Sequence, residues 1–162
     1  MLQLTAPIIL ASKSPRRQEL LTLMGLAFSV ELKEVDESYP ASLSAPEIAV
    51  YVAEKKANAF NADPEHIIIT ADTIVAINGE ILGKPENNTD AQQMLAKLSG
   101  TMHEVYTGVS INYKGKITSF YEAGSYGIQD WFGLAVVERL NGSYTNVMGL
   151  PTEKLYQHLL KL

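Results

Sequence analysis

Cysteine is absent from this 162-residue chain, and that absence excludes disulfide frameworks, thiolate catalysis and zinc–thiolate sites. The three histidines, His66, His103 and His158, are too scattered to suggest a metal site by spacing. No apolar run approaches the length of a membrane span, and the first residues lack the basic-then-apolar layout of a signal peptide. We therefore expect a protein of a reducing compartment, the cytoplasm, with no membrane partner.

Positive charge is also scarce, since 13 basic residues against 18 acidic ones give a net charge of −5. This balance excludes a general electrostatic footprint for nucleic acid, and no aromatic–basic pattern replaces it. We expect no nucleic acid partner, so any polyanion must be held by a few local cations. The sequence also lacks a Walker loop, a kinase glycine loop and a dinucleotide fingerprint, which excludes the common nucleotide-binding motifs.

Alternating helical and strand periods predict an α/β fold with a mixed twisted sheet flanked by helices, over a single domain, 1–162. Strands are predicted at 7–11, 27–32, 67–77, 105–113, 116–121 and 134–139. Helices are predicted at 15–24, from the capping box Ser44-x-x-Glu47 to 60, from a second box at Thr89 to 100, and at 152–162. Asn78-Gly79 predicts a hairpin turn, and the segment 123–129 a glycine-rich loop.

The most informative stretch, from Ile8 to Leu21, reads as a buried strand, a serine turn and a helix that opens on Pro15. Such a helix start directs backbone N–H groups and the positive end of the dipole at whatever lies in front of it. Arg16 and Arg17 occupy the first turn, where a cation is unfavourable unless an anion lies opposite. The stretch therefore predicts a phosphate site.

Acidic residues at strand ends and in loops each allow a functional and a purely structural interpretation. Asp72 follows an apolar strand, where open α/β sheets place ligands, or it takes a hydrogen bond within a turn. Asp36 and Glu37 follow the second strand and form either an acidic surface loop or a pair of metal ligands. No single one of these residues decides between the two interpretations.

Four further residues carry the same ambiguity. Lys55 and Lys56 suit the dipole at the end of a helix, or one of them binds an anion. Lys84, between Gly83 and Pro85, lies in a compact loop that restricts its side chain. Gln129 closes the glycine-rich segment and offers an amide that both donates and accepts, as a nucleobase edge requires.

Taken together, these residues indicate a function more clearly than any one of them does. Several cations with one or two carboxylates, all at strand ends and in loops, describe a site for a polyphosphate and a divalent metal ion. In such a site carboxylates hold Mg²⁺, basic side chains neutralise the remaining phosphate charge, and a carboxylate orients or deprotonates a water molecule. Hydrolysis of a phosphoester or phosphoanhydride is the reaction that this set favours.

The chain resembles, over almost its whole length, the Maf/HAM1-like nucleotide pyrophosphatases, once described as septum-formation inhibitors. The motifs that carry the resemblance occur in the family's order: Leu10-Ala11-Ser12-x-Ser14-Pro15-Arg16-Arg17, Val35-Asp36-Glu37, Ala71-Asp72-Thr73, Gly83-Lys84-Pro85, Thr107-Gly108-Val109, Ala123-Gly124-Ser125-Tyr126-Gly127-Ile128-Gln129 and Val147-x-Gly149-Leu150-Pro151. The resemblance implies a nucleotide cleft at the strand ends and hydrolysis of a nucleoside triphosphate to monophosphate and pyrophosphate. It also implies Mg²⁺ or Mn²⁺ as cofactor and suggests a homodimer.

The resemblance implies a role for several residues of these motifs. Three residues of the opening motif resemble the triphosphate cradle: Ser12, Arg16 and Arg17. Lys56 and Lys84 resemble the two phosphate-binding lysines, with Lys55 the weaker alternative to Lys56. Asp72 resembles the catalytic carboxylate that binds the metal and activates water, and Glu37 its acidic partner at the metal. Gln129 resembles the base-reading glutamine of the subgroup that acts on dTTP and UTP.

One departure from the family concerns the junction between Glu122 and Ala123, where the family carries another strand and helix. A segment is absent here, either by natural deletion or because residues were omitted. We favour omission, since a deletion strips a covering element from beside the site. Two other functions stay open: a pyrophosphatase for modified or purine triphosphates, and a nucleotide-binding regulator of cell division with incidental catalysis.

Overall fold

A mixed β-sheet forms the centre of the protein in a computed structural model that describes residues 4, 6–60, 63–83, 87–98, 100–128 and 137–162. Within these residues the strands are β1 (Ile8–Leu10), β2 (Phe28–Val30), β3 (Ile67–Ile77), β4 (Glu80–Leu82), β5 (Met102–Tyr113), β6 (Lys116–Ile128) and β7 (Val137–Asn141). The helices are α1 (Pro15–Leu23), α2 (Ala45–Asn58), α3 (Asn88–Leu98), α4 (Tyr144–Val147) and α5 (Thr152–Leu159). None of the helices described is long and apolar enough to cross a membrane.

The strand order is β2-β1-β3-β5-β6-β7, and β4 pairs with β3 beside this path. β1 runs parallel to both β2 and β3, whereas every pairing from β3 onward to β7 is antiparallel. The parallel half follows from the helical crossovers α1 and α2. In the antiparallel half, two-residue turns join β3 to β4 and β5 to β6, whereas β4 and α3 lie between β3 and β5 along the chain. The predicted mixed sheet flanked by helices is confirmed.

Alternate residues of β3 pack against helices on opposite faces of the sheet. On one face, Ile67 and Ile69 join a core cluster with Leu21 of α1 and Leu155 of α5. On the other face, Ile74 packs with α2, and the hydroxyl of Thr70 donates to the carbonyl of Ala53 in α2 at 2.7 Å. The side chain of Asp72 shares the face of Thr70 and Ile74 and is therefore directed to α2.

The edge of β3 opposite to β5 is only partly covered by strands. β1 pairs with Ile67–Ile69 and β4 pairs with Val75–Ile77. No strand of the described part of the chain pairs with residues 70–74 on that side. We call this interval the β3 gap. Asp72 lies at its centre, just beyond the point where β1 ends.

Local signals in the sequence set several element boundaries as predicted. α1 begins at Pro15, and the Ser14 hydroxyl accepts a hydrogen bond from the Arg17 amide at 3.4 Å. The Ser44–Glu47 capping box opens α2. The turn after β3 places Asn78 at φ 50° and Gly79 at φ 80°, which is the left-handed conformation that a two-residue hairpin requires.

Two predictions of local structure were wrong. The segment 123–128 is a continuation of β6 and not a loop, because β5 extends back to Met102 and offers its backbone as a partner. α3 is capped by Asn87, whose side chain accepts from the Asp90 amide at 2.9 Å, so the predicted box at Thr89 is not the start. The short helix α4 had no predicted counterpart, and β7 begins at Val137, with 134–136 outside the described residues.

Candidate active site

A cleft of about 980 Å³ opens at the β3 gap. Its walls come from the loops that follow β1 and β2, from the end of α2 and from β3, so it lies at the carboxyl ends of parallel strands. The residues that line it are Ala11, Ser12, Lys13, Ser14, Arg17, Leu32, Lys33, Glu34, Val35, Asp36, Glu37, Lys56, Phe60, Ala71, Asp72 and Thr73. Because the edge of β3 is open here, Asp72 and Thr73 both line the cleft although their side chains belong to opposite faces.

The Arg17 guanidinium fills part of the β3 gap and binds the strand on either side of Asp72. Its Nη1 donates to the Ala71 carbonyl at 2.9 Å and its Nη2 to the Thr73 hydroxyl at 2.9 Å. Two further bonds run from Nε to the Gly149 carbonyl at 2.7 Å and from Nη1 to the hydroxyl of Ser12 at 3.3 Å. Four of the five N–H donors of the guanidinium therefore serve protein acceptors.

Burial lowers the pKa of Arg17, while the negative charge of Asp72 opposes this shift. Arginine stays protonated in proteins under either influence. Arg17 therefore brings a fixed positive charge to the cleft, and its geometry ties α1, β3 and the turn before α5 together. The sequence pattern predicted the charge and did not predict these protein contacts.

Ser12 lies at the end of β1 with only 6% of its surface exposed. Its oxygen accepts from the Ser14 amide at 3.2 Å and from Arg17 Nη1 at 3.3 Å. A serine hydroxyl has two acceptor positions and one proton to donate. With both acceptor positions engaged, the hydroxyl proton is what Ser12 offers to a ligand in the cleft.

Lys56 joins two carboxylates that come from different parts of the chain. Its Nζ lies 2.8 Å from Asp72 Oδ1 and 3.0 Å from Glu37 Oε1. The Lys56 and Asp72 side chains are only 17% and 15% exposed, whereas Glu37 is 42% exposed at the rim. Glu37 and Asp72 are therefore close enough to share one cation, here the ammonium group of Lys56.

The backbone of α2 is held firmly around Lys56. Thr70 of β3 donates to the carbonyl of Ala53, and Asn112 of β5 donates to the carbonyl of Ala57 at 3.2 Å. Gly108, which lies opposite Asp72 in β5, allows the backbone of α2 to approach the sheet closely. These contacts fix the backbone of Lys56 over the β3 gap, while its long side chain can still move.

The cleft offers two neighbouring carboxylates, Asp72 and Glu37, as ligands for a divalent metal ion. Within the described residues no three or more His, Cys, Asp or Glu side chains form a group that could hold a metal by themselves. Mg²⁺ is commonly bound by one or two carboxylates together with substrate phosphates and water. Glu37 and Asp72, which already share the ammonium group of Lys56, fit that requirement.

The other predicted site residues do not line the cleft or lie outside the described residues. Arg16 is exposed on α1 and is not among the residues that line the cleft. Lys55 turns away from the cleft, since its Nζ donates to the Ser38 carbonyl at 2.9 Å and lies 3.4 Å from Asp36 Oδ2. Lys84 and Gln129 lie outside the described residues.

Several lining residues were missed by the sequence analysis. Thr73 and Lys13 stand beside predicted residues, and their position within the quoted motifs was the available signal. Lys33 lies over the ring of Phe60, with Nζ 4.3 Å from the ring centroid, and both line the cleft. Nothing in the sequence joined these two residues to the site, because the contact depends on how β2 and α2 pack.

Fold and site define an α/β protein with a cleft at the strand ends, in which basic side chains face two carboxylates. The sequence profile of the family described as Maf-like protein matches residues 7–122 and 112–162, and the chain belongs to that family. The chain is 45% identical over 184 aligned positions to the dTTP/UTP pyrophosphatase of Phocaeicola vulgatus, covering 96% of this chain and 95% of the relative. It is 44% identical to the dTTP/UTP pyrophosphatase of Flavobacterium psychrophilum, covering 94% of this chain and 93% of the relative.

A solved structure described as a HAM1 protein from Coxiella burnetii superposes with a TM-score of 0.51 at 14% identity. The superposition covers 97% of this chain and 95% of that one. A likeness at such low identity concerns the fold alone. It agrees with the mixed sheet flanked by helices.

The comparisons also bear on the junction between Glu122 and Ala123. The alignment with the Phocaeicola vulgatus relative extends over 184 positions although it includes 96% of the 162 residues of this chain, so it contains positions that this chain leaves empty. The two segments that match the family profile meet in this region, the first ending at residue 122. In the structure β6 passes through the junction without interruption, with Glu122 opposite Thr107 and Ala123 opposite Tyr106.

Proposed function

We propose that the protein hydrolyses nucleoside triphosphates, with dTTP and UTP as the preferred class, to the monophosphate and pyrophosphate. The observation that carries this proposal is the pair of carboxylates, Asp72 and Glu37, that share a cation within a cleft lined by basic side chains. The names of the relatives, which describe enzymes acting on dTTP and UTP, support it. A nucleotide-binding regulator of cell division is therefore not favoured.

The groups proposed to bind phosphate are hydroxyl and ammonium groups that have hydrogen-bond donors available for a ligand. The Ser12 hydroxyl has its proton available, and Lys56 can turn its ammonium group to a phosphate oxygen. Arg17 adds positive charge and has one N–H donor beyond its four protein contacts. Arg16 at the exposed start of α1 and Lys84 complete the proposed set of phosphate-binding residues.

Asp72 is the proposed general base. Its carboxylate accepts the proton of a water molecule while the water oxygen forms a bond to the α-phosphorus. The bond from that phosphorus to its bridging oxygen breaks, and pyrophosphate carries away the electron pair. Glu37 and Asp72 would hold Mg²⁺ or Mn²⁺, which supplies neutralisation of phosphate charge and activation of water when bound. Lys56 and Arg17 offset the charge that develops on the leaving oxygens.

The base of the substrate is proposed to be read by Gln129, through an amide that both donates and accepts. A pyrophosphatase for purine or modified triphosphates is the second candidate within the same chemistry, since the phosphate site does not distinguish bases. We further propose that residues 1–162 act as one domain, in the cytoplasm and as a homodimer.

Pyrophosphate release from a panel of canonical and modified triphosphates, with Mg²⁺ and with Mn²⁺, tests this function. We expect turnover of dTTP and UTP, and a fall in kcat of about 100-fold or more in D72N with nucleotide binding retained. D63N is the matched control, because Asp63 bonds to His66 and does not line the cleft. Near-normal turnover by D72N would overturn the assignment of the base. Tight nucleotide binding with no turnover of any triphosphate would instead support the regulator.

A further inference from the structure

Lys56 occupies the position between the two carboxylates that are proposed to bind metal. We propose that its ammonium group takes the place of the divalent ion in the nucleotide-free enzyme, so that metal binds well only together with nucleotide. This inference rests on the proposed function, and it concerns the order in which the ligands assemble. It follows from the contacts of Lys56, from the charge balance of the cleft and from the freedom of the lysine side chain.

The contacts show direct competition for the same oxygen atoms. Lys56 Nζ lies 2.8 Å from Asp72 Oδ1 and 3.0 Å from Glu37 Oε1. A divalent ion bound by both carboxylates needs lone pairs of these side chains, and it repels an ammonium group at such short range. With 17% and 15% of the Lys56 and Asp72 side chains exposed, solvent screens the interaction only weakly. Metal entry therefore requires the ammonium group to leave.

The charge balance of the cleft does not favour a lone dication either. Asp72 and Glu37 face Lys56 and Arg17, and both carboxylates act electrostatically on the guanidinium. The other charged residues that line the cleft are Glu34, Asp36, Lys13 and Lys33, so four acidic residues stand against four basic ones. Their formal charges cancel, so the free site offers no net negative charge to Mg²⁺ or Mn²⁺. A triphosphate supplies several negative charges, attracts the ammonium group of Lys56 and accompanies the metal as a ligand.

The lysine side chain is free to make this exchange while its backbone stays in place. Thr70 and Asn112 hold the carbonyls of Ala53 and Ala57, which flank Lys56 on α2. The flexible four-carbon stem of a lysine allows its ammonium group to move while the helix does not. Lys56 therefore passes from the carboxylates to a phosphate oxygen when the metal–nucleotide complex enters.

The neighbouring lysine provides a matched control. Lys55 belongs to the same last turn of α2 and carries the same charge, but it contacts Ser38 and Asp36 and does not line the cleft. K55M therefore changes the net charge as much as K56M does and leaves the Asp72–Glu37 pair untouched. A purely long-range effect of charge on metal affinity predicts similar results for the two variants.

The experiment measures Mn²⁺ binding by electron paramagnetic resonance of the free ion, with and without the non-hydrolysable analogue α,β-imido-dUTP. The Mn²⁺ that the analogue binds in the absence of protein is measured separately and subtracted. In the wild type we expect the analogue to tighten Mn²⁺ binding by about tenfold or more. Without analogue, K56M should bind Mn²⁺ about tenfold more tightly than the wild type, and K55M should bind like the wild type. Equal affinities of K56M and the wild type, or a wild-type affinity that the analogue does not change, would overturn the proposal.

The wild-type comparison keeps the test valid if K56M fails to fold, since it needs no variant. Failure of the proposed function has a different signature, namely no pyrophosphate release from any triphosphate and no Mn²⁺ bound beyond what the analogue binds in the absence of protein. Normal pyrophosphate release combined with nucleotide-independent Mn²⁺ binding refutes only the role of Lys56.

Discussion

Among the glycines for which the structure gives contacts, Gly108 has the least room for an added methyl group. It lies opposite Asp72 in the pairing of β3 with β5, so both residues face α2. A Cβ built on Gly108 would lie 2.3 Å from the backbone C and O of Ala49 and 2.5 Å from the amide nitrogen of Val50. Backbone atoms of a helix cannot yield as a flexible side chain does, so α2 would have to retreat by about 1 Å to restore ordinary contact.

Retreat of α2 opens the packing of Ile48 and Val52 against the sheet and strains the bond from Thr70 to Ala53. Overpacking of this kind typically costs about 1–3 kcal/mol. Because the obstacle is main chain, we expect G108A to lower the free energy of unfolding by about 3 kcal/mol, which corresponds to a fall in Tm of about 6–12 °C for a domain of this size. The flexible stem of Lys56 can follow the helix, so the turnover rate of the folded fraction should fall much less than stability does.

Urea denaturation and thermal melting of G108A measure this effect, with G83A as the control. A Cβ on Gly83 has no atom within 4 Å and its φ is not positive, so the same substitution should change stability by less than about 0.5 kcal/mol. If G108A unfolds within about 1 kcal/mol of the wild type, the close approach of α2 to β5 is wrong and so is the placement of Lys56 derived from it.

Three further outcomes are expected. R17M should lose about 2–5 kcal/mol of stability in urea denaturation, because the carbonyls of Ala71 and Gly149 lose their donor. R17K should remain destabilised although it keeps the charge. Full recovery of stability in R17K would refute the contacts of the guanidinium. Burial, followed by Lys161 and Lys154, lowers the pKa of His158, so the unfolded chain binds this proton more tightly and stability should fall as pH decreases through about 6.5. H158F keeps the stack on Phe120 and should give a shallower fall of stability between about pH 7.5 and 5.5; an unchanged slope would contradict this. S44A should cost about 1 kcal/mol through the lost capping box of α2, as thermal melting would show.

Features fixed by a few neighbouring residues could be predicted from the sequence. The start of α1 at Pro15, the capping box at Ser44 and the turn at Asn78 all depend on local backbone chemistry. The grouping of Asp72, Glu37 and Lys56 was also expected, on the resemblance of their motifs to those of a family. Each of these predictions concerned which residues matter or where an element begins.

Features that depend on a distant partner could not be predicted in the same way. The glycine-rich segment after Glu122 has the composition of a loop, and it becomes strand because β5 supplies a free backbone edge. Arg17 shows the same limit at the level of a side chain. Its charge was visible in the sequence, but the acceptors that it binds, the carbonyls of Ala71 and Gly149, are 54 and 132 residues away.

Because of the β3 gap, hydrogen exchange of the β3 amides should show whether a ligand occupies the cleft. In a strand the amide and carbonyl of one residue point to the same side, and successive residues alternate. Since the carbonyl of Ala71 faces Arg17 in the gap, the amides of Ala71 and Thr73 face the cleft, while the amide of Asp72 faces β5. Deuterium uptake by a peptide that spans β3 should therefore fall when the cleft is filled. Occupancy could be followed by mass spectrometry without labels, coupled enzymes or turnover.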